Sequence, residues 1–314
     1  MLHHHPTSGL TVTAPLARSC DARAGFARAE DGAPIFWHAV GTGDPTFVCC
    51  NGVGVSTFFF KYIVQHFRQR FQVVTWDYRG HGRTPAPPGP IESADLSIER
   101  AVQDLLVVLD ALEVRGPVVL LGHSMGCQVI FEFARQAPDR VAALVPLFGT
   151  YEHPMDTFMD SAWSRPLFDR LVRAARSASR RANRLLLPLY DSPLAFPLGG
   201  RLGLMDRFYA GRVDIDQYLE HLSVMDPRVF LRTLSLAAEH SAADALPGIR
   251  VPTLVVASEK DLFTPLHRSY AMADAIPGAE LLVLAEASHA AIVEHPDTIN
   301  RRIDRFLRER LGVS

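Results

Sequence analysis

The chain has 314 residues, 48% hydrophobic and 21% charged, enough apolar content to bury one large core. Its 32 basic and 34 acidic side chains leave a net charge of −2, which supplies no general attraction to nucleic acid or to an anionic membrane. No apolar run approaches the ~20 residues that a membrane helix needs. Residues 1–24 lack an apolar stretch behind a basic start, so they read as an N-terminal tail without a secretory signal, and His3 to His5 as part of that tail. Cys20, Cys49, Cys50 and Cys127 have no C-x-x-C spacing, which argues against zinc and thioredoxin-like chemistry and for a reducing, cytoplasmic compartment.

Ordered elements start with FARAEDGAPIFWHAVG, which predicts an antiparallel hairpin turning at Asp31-Gly32. Short apolar runs then alternate with amphipathic ones: PTFVCCNG, FQVVTWD, PVVLLGHS, VAALVPLFG, PTLVVASEKD and ELLVLAEASH. That rhythm predicts a mostly parallel sheet covered by helices on both faces. Within it, Ile98, Val102, Leu105, Leu109 and Leu112 share one helical face behind Ser97, a fitting N-cap. From 153 to 246 no strand pattern occurs, and the segment predicts a helical insertion. Arg170, Arg173, Arg176, Arg180 and Arg184 form a basic stripe there, read as a solvated face, while LLLPLYDSPLAFPLGG with Phe158, Trp163 and Phe168 offers apolar walls for a pocket.

Gly122-His123-Ser124-Met125-Gly126 sits where a buried strand gives way to a helix. So tight a turn needs glycines two residues either side of the serine, and it leaves the hydroxyl exposed at a helix N-terminus, where free N–H groups can hold an oxyanion. A serine hydroxyl is a poor nucleophile without a base, and the base needs a partner to orient it and to stabilise its cation.

With CNGVGVS, DYRGHGRT, ASEKDLFTP and SHAAIVEHP in order around this elbow, the chain resembles the α/β-hydrolase family from about Gly25 to Leu311. The resemblance implies a mostly parallel eight-stranded sheet, with a core of 25–152 and 247–314 and a helical cap, 153–246, inserted between strands six and seven. It also implies Ser124 as nucleophile, His289 as base and Asp261 as acid, with Glu259, Asp156 and Glu286 as the runner-up acids. Met125 and Val53 would supply the oxyanion hole through their N–H groups. Two positions depart from the family: Asn51 stands where histidine is common, and Ser288 where glycine is usual. Asp77, Arg79 and His81 are expected to brace the oxyanion loop, a role favoured over a metal site built on Asp77 and His81. His123, Asn51, Phe158 and Trp163 are candidates for the substrate pocket.

The expected activity is hydrolysis of small to medium apolar carboxylic esters through an acyl-enzyme, with water as co-substrate and with no metal, nucleotide or flavin. The same triad could open lactones, cleave carbon–carbon bonds or perform perhydrolysis. A different class, a non-catalytic ligand receptor on this fold, is the alternative to an enzyme.

Overall fold

Residues buried on both sides of a sheet alternate between its two faces, and that period of two builds this molecule. The computed structural model describes residues 21–157, 161, 163–167, 169–170 and 212–313. The predicted hairpin forms from β1 (Arg23–Arg28) and β2 (Pro34–Val40), which pair antiparallel. At its turn Gly32 takes φ +82°, and the Asp31 carboxylate accepts the Ala33 N–H at 3.1 Å. Then come β3 (Phe47–Cys50), β4 (Val73–Trp76), β5 (Val118–His123), β6 (Val141–Leu147), β7 (Leu254–Ser258) and β8 (Glu280–Leu284). The eight strands lie in the order β1-β2-β4-β3-β5-β6-β7-β8, antiparallel up to the β2–β4 pair and parallel beyond it.

Val118 and Leu120 join one core cluster with α2 (Ile98–Ala111) and α3 (Met125–Gln136). Val119 and Leu121 point the other way, into a cluster with α1 (Lys61–Phe67) and the C-terminal helix Pro296–Leu311. Helix α2 and its C-cap residue Leu112 bury the five residues predicted for the inner face, and Ser97 caps the other end by accepting the Arg100 N–H at 3.2 Å.

Between β6 and β7 the described residues include the helices α4 (Pro154–Thr157), α5 (Arg212–Val224) and α6 (Pro227–Glu239), and an isolated antiparallel bridge joins Glu152 to Ser241. Aspartate Asp226 caps α6, accepting the Arg228 N–H at 2.9 Å ahead of Pro227. These helices are tied to the sheet layer by polar contacts. Buried Asp214 of α5 accepts the Tyr62 hydroxyl at 3.1 Å and pairs with Lys61, and Gln128 of α3 donates to the Ala237 carbonyl of α6 at 2.9 Å. Among the described residues no helix is long and apolar enough to cross a membrane. The loops after β3, β5, β7 and β8, all at the carboxyl ends of parallel strands, carry Gly52, Ser124, Asp261 and His289, the edge where open α/β sheets bind ligands.

Candidate active site

Ser124 links β5 to α3 with φ 56° and ψ −119°, a conformation that L-residues occupy only under constraint. Such a backbone costs about 1–3 kcal/mol, and its surroundings enforce it. The Ser124 N–H donates to the Leu147 carbonyl at 3.1 Å, and its own carbonyl accepts the Cys127 N–H at 3.0 Å. Glycine is required at the flanks: a Cβ on Gly122 would lie 2.4 Å from the Gly126 carbonyl oxygen, and one on Gly126 2.1 Å from that of Cys50. Because α3 begins at Met125, its first N–H groups have no intrahelical acceptor.

His289 follows β8, and its Nδ1 lies 2.8 Å from Asp261 Oδ2. Asp261 is 4% exposed and otherwise saturated: Oδ1 accepts the N–H groups of Phe263 and Thr264 at 2.8 and 2.9 Å, and Oδ2 the Thr264 hydroxyl at 2.7 Å. The carboxylate can only accept from Nδ1, which leaves His289 Nε2 as the ring nitrogen not engaged by Asp261. Of the other carboxylates weighed, Glu259 is exposed, Asp156 pairs with Arg165 and Glu286 with Lys260. Ser288 keeps the loop in place despite not being glycine. Its hydroxyl donates to Glu294 at 2.5 Å, its N–H donates to the same carboxylate at 3.0 Å, and its carbonyl accepts the Ser258 hydroxyl at 2.8 Å.

The loop after β3 passes Ser124 closely, since a Cβ on Gly52 would sit 2.9 Å from the Ser124 Cβ. Asp77 and His81 brace that loop directly, whereas the Arg79 side chain ties their own segment to α2 and the hairpin turn. Asp77 accepts the Thr57 and Arg83 N–H groups, both at 3.0 Å, and burial raises its pKa to about 6. Arg79 forks onto Asp104 through two 2.7 Å bonds and pairs with Asp31. His81 Nε2 accepts the Gly54 N–H at 3.2 Å while Nδ1 faces the Arg79 carbonyl at 3.2 Å, which fixes the neutral Nδ1–H tautomer. Burial brings its pKa down to about 4. The atoms that a metal would require of Asp77 and His81 are thus engaged. The N–H groups of Val53 and Met125 meet no protein acceptor among the described residues.

A cavity of about 540 Å³ holds Ser124, His123, His289, Val53 and Met125 in its wall, together with Phe59, Tyr218, Phe230, Leu234 and Phe263. Trp163 lines its mouth and is 78% exposed. Asn51 does not line it. Contrary to the expectation of a pocket residue, Asn51 is 1% exposed behind the loop, where Nδ2 donates to the Trp76 carbonyl at 2.9 Å and its carbonyl accepts the Tyr78 hydroxyl at 2.8 Å. Phe158, Phe168, the basic stripe from Arg173 onward and residues 185–200 lie outside the described residues. Sequence reasoning gave no role to Phe263, Gln128 and Thr264 in the cavity wall or to Glu294 behind the site; Thr264 and Glu294 had a signal, their fixed spacing from Asp261 and His289.

One trio among the described residues, Glu99, Glu132 and His240, brings potential metal-ligand atoms within 4.8 Å of one another. There the Gln128 amide lies 3.3 Å from His240 Nδ1, which leaves the ring proton on Nε2, directed at Glu132 at 3.3 Å. Glu132 and His240 are thus engaged with each other and with Gln128, while exposed Glu99 stands 3.9 Å from His240 Nε2.

A family model described as the alpha/beta hydrolase fold matches residues 45–296. The chain belongs to the α/β-hydrolase family. It is 29% identical over 275 residues to "Putative carbamate hydrolase RutD" of Stutzerimonas stutzeri, covering 85% of this chain and 93% of that protein. Among solved structures, a thermophilic esterase from Thermogutta terrifontis superposes with a TM-score of 0.70 at 23% identity, covering 92% of this chain and 98% of that one. Est816, titled an N-acyl homoserine lactone degrading enzyme, matches with a TM-score of 0.67 at 25% identity over 90% of this α/β-hydrolase and 100% of its own chain. Fold and relatives agree that the protein is a hydrolase.

Proposed function

We propose that this hydrolase cleaves neutral carboxylic esters by acyl transfer to Ser124 and then to water. The observation that carries this reading is the 2.8 Å contact between His289 and buried Asp261, beside an apolar cavity that also contains Ser124. In the proposed cycle the Ser124 hydroxyl attacks the ester carbonyl as His289 Nε2 takes its proton. Asp261 stabilises the resulting imidazolium. The N–H groups of Val53 and Met125 receive the oxyanion, and His289 then protonates the departing alcohol. Water, deprotonated by the same histidine, releases the acid and restores Ser124. Among the described residues lining the cavity there is no Asp, Glu, Lys or Arg, which favours a neutral substrate over a charged one. The helices between β6 and β7 act as a cap over the acyl group in this reading.

Two measurements test it. A fluorophosphonate probe labels wild-type enzyme and leaves Ser124→Ala unlabelled, whereas a silent receptor on this fold is not labelled at all. With p-nitrophenyl esters, Ser124→Ala and His289→Ala each lose on the order of 10³ to 10⁶ in kcat, and the double variant is little worse than either. From acetate to hexanoate kcat/KM rises about fourfold per methylene, since each buried CH₂ contributes about 0.8 kcal/mol. A steady fall from acetate onward refutes an acyl group seated in this cavity. Similarity to the named carbamate hydrolase over most of both chains favours carbamate cleavage as the second reading. Turnover of carbamates or lactones with esters left intact would move the substrate class while keeping Ser124.

A further inference from the structure

We propose that His123 is a positioning residue: its ring N–H, beside the nucleophile in the chain, holds the peptide carbonyl of His289 and so fixes where the base stands over Ser124. This inference rests on the Ser124–His289 mechanism above.

His123 is the last residue of β5 and is 3% exposed. Its Nε2 lies 3.1 Å from the backbone oxygen of His289. A carbonyl oxygen can only accept, so Nε2 carries the proton and Nδ1 is a bare lone pair. Nδ1 is buried without a partner and abuts Gly52, where a Cβ would come within 3.1 Å of it. The ring is confined by Phe59, with centroids 4.7 Å apart, and by the imidazole of His289 at 4.9 Å. Burial first, and the nearby His289 second, push the pKa of His123 down to about 3. It therefore stays neutral near neutral pH, and its hydrogen bond to the His289 carbonyl keeps its donor.

The wider geometry shows why such an anchor matters. The peptide before His289 is clamped by Glu294 and Ser258 through Ser288. The side chain of His289 is held at Nδ1 by Asp261. On the carbonyl side, the His289–Ala290 peptide is held at its N–H, which donates to the Ser288 hydroxyl at 3.1 Å, and at its oxygen, where His123 is the donor. A displacement of about 1 Å at a reacting group can cost two orders of magnitude in rate, so a bond that ties the base to the nucleophile's own strand bears on kcat more than on substrate binding. If the ring served packing alone, any aromatic residue would replace it.

The test compares His123→Phe, a ring without the donor, with His123→Gln, whose amide N–H reaches about as far as Nε2. His123→Met is a second donor-free variant in which ring shape is not at issue. Each is assayed for kcat and KM on a p-nitrophenyl ester, for fluorophosphonate labelling rate and for urea midpoint. The donor-free variants should lose about tenfold in kcat, with KM within about twofold and labelling slowed in parallel, and His123→Gln should recover most of the loss. Wild-type kcat in folded His123→Phe or His123→Met overturns the proposal, as does a folded His123→Gln no better than either. If wild-type enzyme itself is neither labelled nor active, the ester mechanism fails and this inference falls with it.

Discussion

At the scale of single residues, the site depends on partners as much as on identities. Asp261 is distinguished from Asp156, Glu259 and Glu286 by its four accepted hydrogen bonds, one of them from the imidazole of His289. Asp261→Asn keeps the size and can keep the bonds at Oδ1, yet it can present an N–H to His289 Nδ1 and so select the wrong tautomer. Its kcat should fall by up to about 10⁴ with the urea midpoint little changed. A larger loss in Asp156→Asn or Glu286→Gln, measured side by side, would reassign the acid. Ser124, His289 and Asp261 could be proposed from the sequence because each sits in a motif that resembles the family's. The uses of Ser288 and Asn51 were not. Both look like departures from a pattern, and only the fold shows that the Ser288 hydroxyl and N–H both donate to Glu294 and that the Asn51 amide holds the Trp76 carbonyl. His123, expected at the pocket, does line the cavity, but its contact with the His289 carbonyl could not be read, because that acceptor lies 166 positions away on a different strand's loop.

Elements were readable in proportion to how local their cause is. The β5 run is buried at all six positions, and the inner face of α2 follows a 3.6-residue period, so both could be placed from the sequence. What ties the inserted helices down could not. Gln128 reaches the Ala237 carbonyl across 109 positions, and Lys61 reaches Gln217 at 2.9 Å across 156; no periodicity encodes either contact. The elbow is the case where an element boundary is dictated by space. Gly126→Ala places a methyl 2.1 Å from the Cys50 carbonyl, on a strand paired on both sides, where the backbone has little room to yield. We expect a loss of about 1–3 kcal/mol in stability, read as a lower urea midpoint, together with lost activity as β3 and α3 are driven apart. Gly116→Ala is the control, since nothing lies within 4 Å of its Cβ position. Equal midpoints for the two variants would mean that the elbow tolerates the methyl.

For the whole molecule, the buried histidines set the response to acid. His81 and His123 have folded pKa values of about 4 and about 3, against about 6.5 when unfolded. Between those limits the unfolded chain binds protons that the folded chain refuses, so stability falls as pH drops below about 6.5. Asp77 works in the opposite sense: its pKa is raised to about 6, so the fold takes up that proton first and gains stability between about pH 6 and 4. Two histidines against one carboxylate leave a net loss of about 1.4 kcal/mol per pH unit across that window. His38 and His221, lowered by burial, add to the loss. Urea midpoints should therefore fall steadily from pH 7 to pH 5, and less steeply in His81→Gln, whose amide oxygen can still accept the Gly54 N–H. A midpoint that holds level or rises would show that these histidines are protonated inside the fold. The same proton links stability to activity, because His81 can accept the Gly54 N–H only while Nε2 is bare. Protonating His289 should silence the enzyme reversibly in an intact fold, whereas protonating His81 releases the loop that carries Val53. Acid inactivation should accordingly comprise a reversible loss in the intact fold and a loss that coincides with unfolding. Circular dichroism recorded alongside activity separates the two.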